Sequence, residues 1–448
     1  MKQNVDILVI GGSAAGLVAA MTAKGNYKDK RVMMIRREEK VMIPCGIPYI
    51  FGTLDQSDQN ILPDGGLINL GVEIVNDNVL SIDTVNHEVN TENKLNVVYD
   101  RLILATGSTP TKPQWLKGKD LENVFVIPKN KVYLDEMVDA LKGKKRIVVV
   151  GAGFIGVEVS DELNKKGFEV VLVEKEPHIL GMAFDDDISI DAEEVLKARG
   201  VNLQLNSGIE SIIGEKVAKG VKLSDGQIID CDAVILSMGY MPNTTLAKDA
   251  NIPVNEKGFI VVDEYLRTPI KDVFAAGDCA EKRDFATNKL STTMLASTAC
   301  AEARVAALNL YQISTVRKFK GTIGIYSTCI GDSAYGVAGL TESGAKKEGF
   351  NIISAKFQGI DRHPGKLTGA HKQTVKLIVS KECGRILGGA VIGGVSTGEL
   401  TNVIGFIIQG GMTITDLLVA QIGTQPMLTA SPAAYPLIKA AEAAVKLL

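Results

Sequence analysis

With 448 residues the chain is too long for a single hydrophobic core, and its 46% hydrophobic and 23% charged residues match an ordinary soluble protein of about two to four domains. A net charge of −3 argues against nucleic acid or an anionic membrane as the main partner. Beyond the N-terminus no uncharged apolar run reaches the roughly 18 residues of a membrane span. Six cysteines, at 45, 231, 279, 300, 329 and 383, form no CxxC pair. Neither a disulfide framework nor a metal site is expected from that spacing, which suits a reducing, cytoplasmic setting.

The apolar stretch 5–21 has the length of a signal peptide, but Asp6 interrupts it and its glycines explain it better. Residues 5–10 read as a buried parallel strand. Gly11, Gly12, Ser13, Ala14, Ala15 and Gly16 form the turn, a helix runs to about residue 24, and residues 31–35 are the next strand. A helix N-terminus presented this way holds a pyrophosphate on its unpaired N–H groups. Ser13 stands where the fingerprint has its middle glycine. The acidic residue expected about 20 positions on is replaced by Arg36, which leaves Glu38 as the nearest carboxylate for an adenosine ribose.

The same grammar recurs 140 residues later. Residues 147–150 are a strand, Gly151-Ala152-Gly153-Phe154-Ile155-Gly156 the turn, 157–166 a helix and 169–173 the next strand. Here the fingerprint is complete, and Glu174 closes the second strand. A carboxylate there accepts from both ribose hydroxyls and repels a 2′-phosphate, so NADH is expected, with NADPH left open by Lys175 and the basic run 142–146. From about residue 320 no such turn appears. Strands at 374–379 and 386–392 and helices at 397–409 and 432–446 read as a separate domain.

Three further motifs make the chain similar to the two-dinucleotide-binding flavoprotein reductases. Leu104-Ala105-Thr106-Gly107-Ser108 resembles the crossover from the FAD unit to the NAD unit. Ser237-Met238-Gly239-Tyr240-Met241-Pro242-Asn243 resembles the returning crossover. Val273-Phe274-Ala275-Ala276-Gly277-Asp278 resembles the motif whose aspartate holds the ribityl chain of FAD. The resemblance implies an α/β architecture: two Rossmann-like dinucleotide-binding domains, FAD at 1–112 and 245–319 and NAD at 113–244, plus a C-terminal α+β dimerisation domain at 320–448. It also implies that the helix after Thr293 points its N-terminus at the flavin. Phe154 matches the aromatic that covers the flavin until nicotinamide displaces it, with Glu158 one turn further along the same face.

Pro44-Cys45-Gly46-Ile47-Pro48-Tyr49 stands where dithiol members carry two cysteines separated by four residues. The second position is Ile50, which excludes an intramolecular disulfide like that of lipoamide dehydrogenase, glutathione reductase or mercuric reductase. The segment closely resembles the single-cysteine pyridine nucleotide-disulfide oxidoreductases, the group of coenzyme A disulfide reductase, NADH oxidase and persulfide reductase. There the lone cysteine cycles through a mixed disulfide, persulfide or sulfenic acid.

The resemblance implies a homodimeric, FAD-dependent reductase of a small thiol or disulfide substrate, coenzyme A among the candidates. An NADH oxidase or peroxidase, or a reductase of a protein electron carrier, are the alternatives. In the tail, Gln425 replaces the acid-base histidine of dithiol members, and the tyrosines of coenzyme A disulfide reductases are absent from both their places. His363, in Arg362-His363-Pro364-Gly365, is the best general acid by residue type, and Tyr435 a second candidate. Arg36, Arg37 and Lys40 read equally well as coenzyme A phosphate contacts or as a solvated basic run.

Overall fold

Two sheets, each with a buried parallel strand that leads into a glycine turn, organise the chain. A computed structural model describes residues 2–316 and 321–448. They cluster into two compact units. The first gathers the chain up to Pro113 with Phe125–Gly143 and Met238–Thr322, and the second combines Gln114–Val124, Lys144–Ser237 and Ile323–Leu448. This division is coarser than the three domains read from the sequence.

In the first unit the strands run in the order Glu73–Asn76, Val32–Arg36, Lys2–Ile10, Asn96–Leu104, all parallel, with Val273–Ala275 parallel to the end of Asn96–Leu104. Antiparallel Glu88–Thr91 and Val79–Asp83 extend the other end. The central strands are buried, so they read as unbroken apolar runs instead of alternating ones. Helix Ala14–Asn26 packs on helix Ala296–Leu308 through Ala15, Ala19, Ala20 and Ala23 against Ala299, Ala303, Ala306 and Ala307. Side chains this small let the two backbones approach closely.

In the second unit a parallel sheet has the order Asn202–Gln204, Glu169–Val173, Arg146–Val150, Ala233–Leu236. The helix after its glycine turn spans Phe154–Lys165 and so starts three residues before the sequence reading. The C-terminal segment is an antiparallel sheet, Ile325–Ile330, Ser333–Gly339, Ile386–Gly393, Lys372–Ser380, Ile352–Ile360, with helices Thr397–Gly410 and Pro436–Val445. The terminal helix expected over 432–446 is broken. A short turn, Pro432–Ala434, precedes it, and Tyr435 is extended (ψ 117°) because Pro436 disfavours a helical residue before it.

Buried Lys376 ties the two parts of this unit together. Its ammonium lies 3.0 Å from Asp185, 3.0 Å from Glu342 and 3.4 Å from Asp187. Asp185 in turn accepts the backbone N–H groups of Glu342 and Ser343. Hydrogen bonds from Lys346 and Lys376, opposed by burial, hold the Glu342 pKa at about 2 against an ordinary 4.5. A carboxylate with a depressed folded pKa stabilises the fold above its unfolded pKa, and that contribution is lost as pH falls. Lys376→Met is therefore expected to lower stability by roughly 3 kcal/mol at neutral pH. Urea unfolding should show the deficit shrinking as pH drops from about 4.5 towards 2.

Candidate active site

Pro44 opens the short 3₁₀ helix Pro44–Phe51, and Cys45, its second residue, is exposed. The turn is braced from beneath. Asn60 Nδ2 donates to the Ile43 carbonyl at 3.0 Å, and Ile43 N–H donates to the Asn60 carbonyl at 3.0 Å. A Cβ on Gly46 would lie 2.0 Å from the Asn60 side-chain oxygen, so glycine is needed beside the cysteine. Ile50, at the place of a second cysteine, is buried in the core.

The first glycine loop has the form a dinucleotide needs. Gly11 has φ +113°, and a Cβ on Gly16 would sit 1.9 Å from the Gly11 carbonyl oxygen. Ser13 caps the helix with no side-chain hydrogen bond, which leaves the first-turn amides of Ala14 and its neighbours to a phosphate. Arg36, expected at the cofactor, does not offer its guanidinium outward. It is buried, forks onto Asp64 at 2.5 and 2.6 Å, and packs its stem where a Cβ of Gly12 would be. Arg37 pairs with Glu38 at 3.0 Å and Lys40 with Asp58 at 2.7 Å, so the basic run before Cys45 is internally neutralised.

The two crossovers are stitched together. Thr106 Oγ1 donates to the Asn243 carbonyl at 2.6 Å, and Asn243 N–H donates to the Gly107 carbonyl at 2.9 Å. Strands Ser108–Pro110 and Tyr240–Pro242 pair beside them, with Gly239 turning at φ +84°. Gly277, at φ +83°, is pinned by Glu302, which accepts its N–H, and by Lys282, which donates to its carbonyl. Asp278 follows, mostly buried. Burial works to raise its pKa, but the Lys129 ammonium at 2.7 Å and the Ser108 hydroxyl at 2.7 Å prevail and lower it. Both donors reach Oδ2, and among the described residues no hydrogen bond reaches Oδ1, which suits it to a ribityl hydroxyl. Lys129 carries no sequence signature and only the geometry reveals it.

The second loop repeats the first. A Cβ on Gly156 would meet the Gly151 carbonyl oxygen at 1.9 Å, and Gly153 caps the following helix without a side chain. Glu174 accepts N–H groups from Ala152 at 2.6 Å and from Glu176 at 3.0 Å, so the carboxylate also shapes the loop. Phe154 stacks on Tyr326 (centroids 5.0 Å, 12° between planes) and tilts against Phe184. One turn on, Glu158 accepts from the Thr328 hydroxyl at 2.8 Å. Burial, with the nearby Glu162 carboxylate and against the Thr328 hydrogen bond, raises the Glu158 pKa to about 7.

In the same unit, His363 Nδ1 lies 2.9 Å from the Thr429 carbonyl. A carbonyl only accepts, so Nδ1 carries the hydrogen in this contact. Half-buried Tyr435 has its pKa raised by desolvation and stays a phenol. Gln425, in place of the family's histidine, turns its side-chain oxygen to the Met427 N–H at 2.8 Å.

The family model described as pyridine nucleotide-disulphide oxidoreductase matches residues 5–303, and that family's dimerisation domain matches 325–434. The chain belongs to this family. It is 29% identical to an NADH oxidase of Methanocaldococcus jannaschii over 98% of both chains. It is 30% identical to an NAD(P)H coenzyme A polysulfide/persulfide reductase of Pyrococcus horikoshii over 88% of both. A solved NAD-dependent persulfide reductase from A. fulgidus superposes with a TM-score of 0.89 at 27% identity, covering all of this chain and 83% of that one.

The protein is thus an FAD-dependent oxidoreductase that uses a nicotinamide dinucleotide, built as the α/β fold read from its sequence. No helix among the described residues is long and apolar enough to cross a membrane.

Glu158 is expected to lose its proton near pH 7. Its anion should draw in the cationic nicotinamide of NAD⁺, so calorimetric titration should find tighter binding on the alkaline side. Glu158→Gln should flatten that profile.

Proposed function

We propose that this enzyme reduces a low-molecular-weight disulfide, persulfide or polysulfide of the coenzyme A type with NADH, through Cys45. The observation that carries the reading is the exposed Cys45 on its braced turn, with buried Ile50 where a second cysteine of that segment would stand. Relatives named for coenzyme A persulfide and sulfur reduction support the substrate class.

Gly151, Gly153, Ile155 and Gly156 hold the NADH pyrophosphate, Glu174 its ribose, and Phe154 yields its place to the nicotinamide. Gly11–Gly16, Glu38, Ala105, Thr106, Gly107, Gly277 and Asp278 hold FAD, which when bound relays two electrons from nicotinamide to sulfur. The Cys45 thiolate attacks a substrate sulfur. A Cys45–sulfur bond forms as the substrate S–S bond breaks, and the leaving thiolate takes a proton, for which His363 is the first candidate and Tyr435 the second. That exchange uses no electrons; two electrons and a proton then release the bound half and return Cys45 as a thiolate.

We place the proton donor on the second subunit of a homodimer, with its C-terminal domain facing Cys45. Apolar Val403 and Phe406 lie exposed on one side of helix Thr397–Gly410, as a subunit interface would require. A second reading, NADH oxidase with Cys45 as a sulfenic acid, is favoured by relatives of that name.

Anaerobic NADH oxidation with coenzyme A disulfide, coenzyme A persulfide and polysulfide, beside an aerated control, separates the two. Fast turnover on a sulfur acceptor, reduced at least about a hundredfold in Cys45→Ser, is the expected outcome. Turnover in air alone would assign the oxidase.

A further inference from the structure

The helix that begins at the second glycine loop presents Phe154 and Glu158 on one face, because residues four apart share a side. Strand Ile325–Ile330 of the C-terminal segment presents Tyr326 and Thr328 on one face, because residues two apart do. These faces meet side chain to side chain. The Tyr326 ring lies nearly parallel to Phe154 at 5.0 Å, and Thr328 donates to Glu158 at 2.8 Å. Phe184 supports Phe154 from another direction, at 6.0 Å and 57°. Gly324 makes room for the arrangement, since a Cβ there would lie 2.9 Å from the Tyr326 ring. Neither the Rossmann fingerprint nor the redox cysteine requires an aromatic at 326.

We propose that Tyr326 is a positioning residue that clamps Phe154 in its closed place, so that nicotinamide must break an aromatic stack within its own subunit to enter. The inference rests on the reading that Phe154 yields to nicotinamide. Part of the binding energy of the dinucleotide then goes into opening the stack, and the observed affinity is lower by that amount. Thr328 fixes the neighbouring strand position, so the ring and the carboxylate are held as one surface.

Calorimetric titration of oxidised, FAD-loaded enzyme with NAD⁺ tests the clamp by affinity, independently of turnover. An aromatic stack is worth enough to predict that Tyr326→Leu tightens NAD⁺ roughly two- to tenfold. Tyr326→Phe keeps the ring and should keep the wild-type affinity. If the leucine variant does not fold, Tyr326→His, with a smaller flat ring, should bind NAD⁺ with intermediate affinity. Unchanged or weaker binding in the Tyr326 variant, while Phe154→Ala binds more tightly, would overturn the clamp and leave the Phe154 reading intact. Unchanged binding in Phe154→Ala would overturn both.

Discussion

Everything in this molecule that concerns nucleotides depends on one steric constraint used twice. At Gly16 and again at Gly156 a helix passes so close to the preceding loop that a Cβ would sit 1.9 Å from a carbonyl oxygen. Only glycine tolerates that approach, and only that approach brings the first-turn amides to the end of a buried parallel strand. Its chemical result is a pair of anion sites made from backbone, which leaves the side chains to choose the cofactor and the reaction.

Those side chains are set by contacts from distant segments. Asp278 stays ionised because Lys129 and Ser108 hold one of its oxygens. Glu158, in contrast, is buried away from water, and that burial disfavours its charge more than the Thr328 hydrogen bond favours it. The two carboxylates therefore behave in opposite ways at neutral pH: one is a fixed anion and the other is poised to titrate. Within the second unit, Lys376 and the Phe154–Tyr326 stack join the C-terminal segment to the part that carries the second glycine loop.

Local requirements were legible in the sequence and distant partnerships were not. Gly16 and Gly156 announce themselves because the carbonyls they approach, those of Gly11 and Gly151, lie only five residues away. Ile50 excludes a dithiol by its identity alone. Arg36 read as a phosphate contact or a solvated charge because its partner Asp64 lies 28 residues away and no pattern links them. Asn60 under Cys45, Lys129 beside Asp278 and Tyr326 against Phe154 are likewise products of tertiary packing. The broken terminal helix at Pro436 was within reach, since a proline inside a helical pattern marks a boundary.

The central claim is that Cys45 and flavin form one redox unit with a single sulfur. Anaerobic titration of the oxidised enzyme with NADH, followed spectrally, tests it most directly. With one two-electron centre at flavin and another at oxidised Cys45, uptake should reach about two NADH per chain, falling to about one in Cys45→Ser. Uptake of one equivalent by both proteins, with turnover on sulfur intact, would contradict the account and remove Cys45 from the electron path.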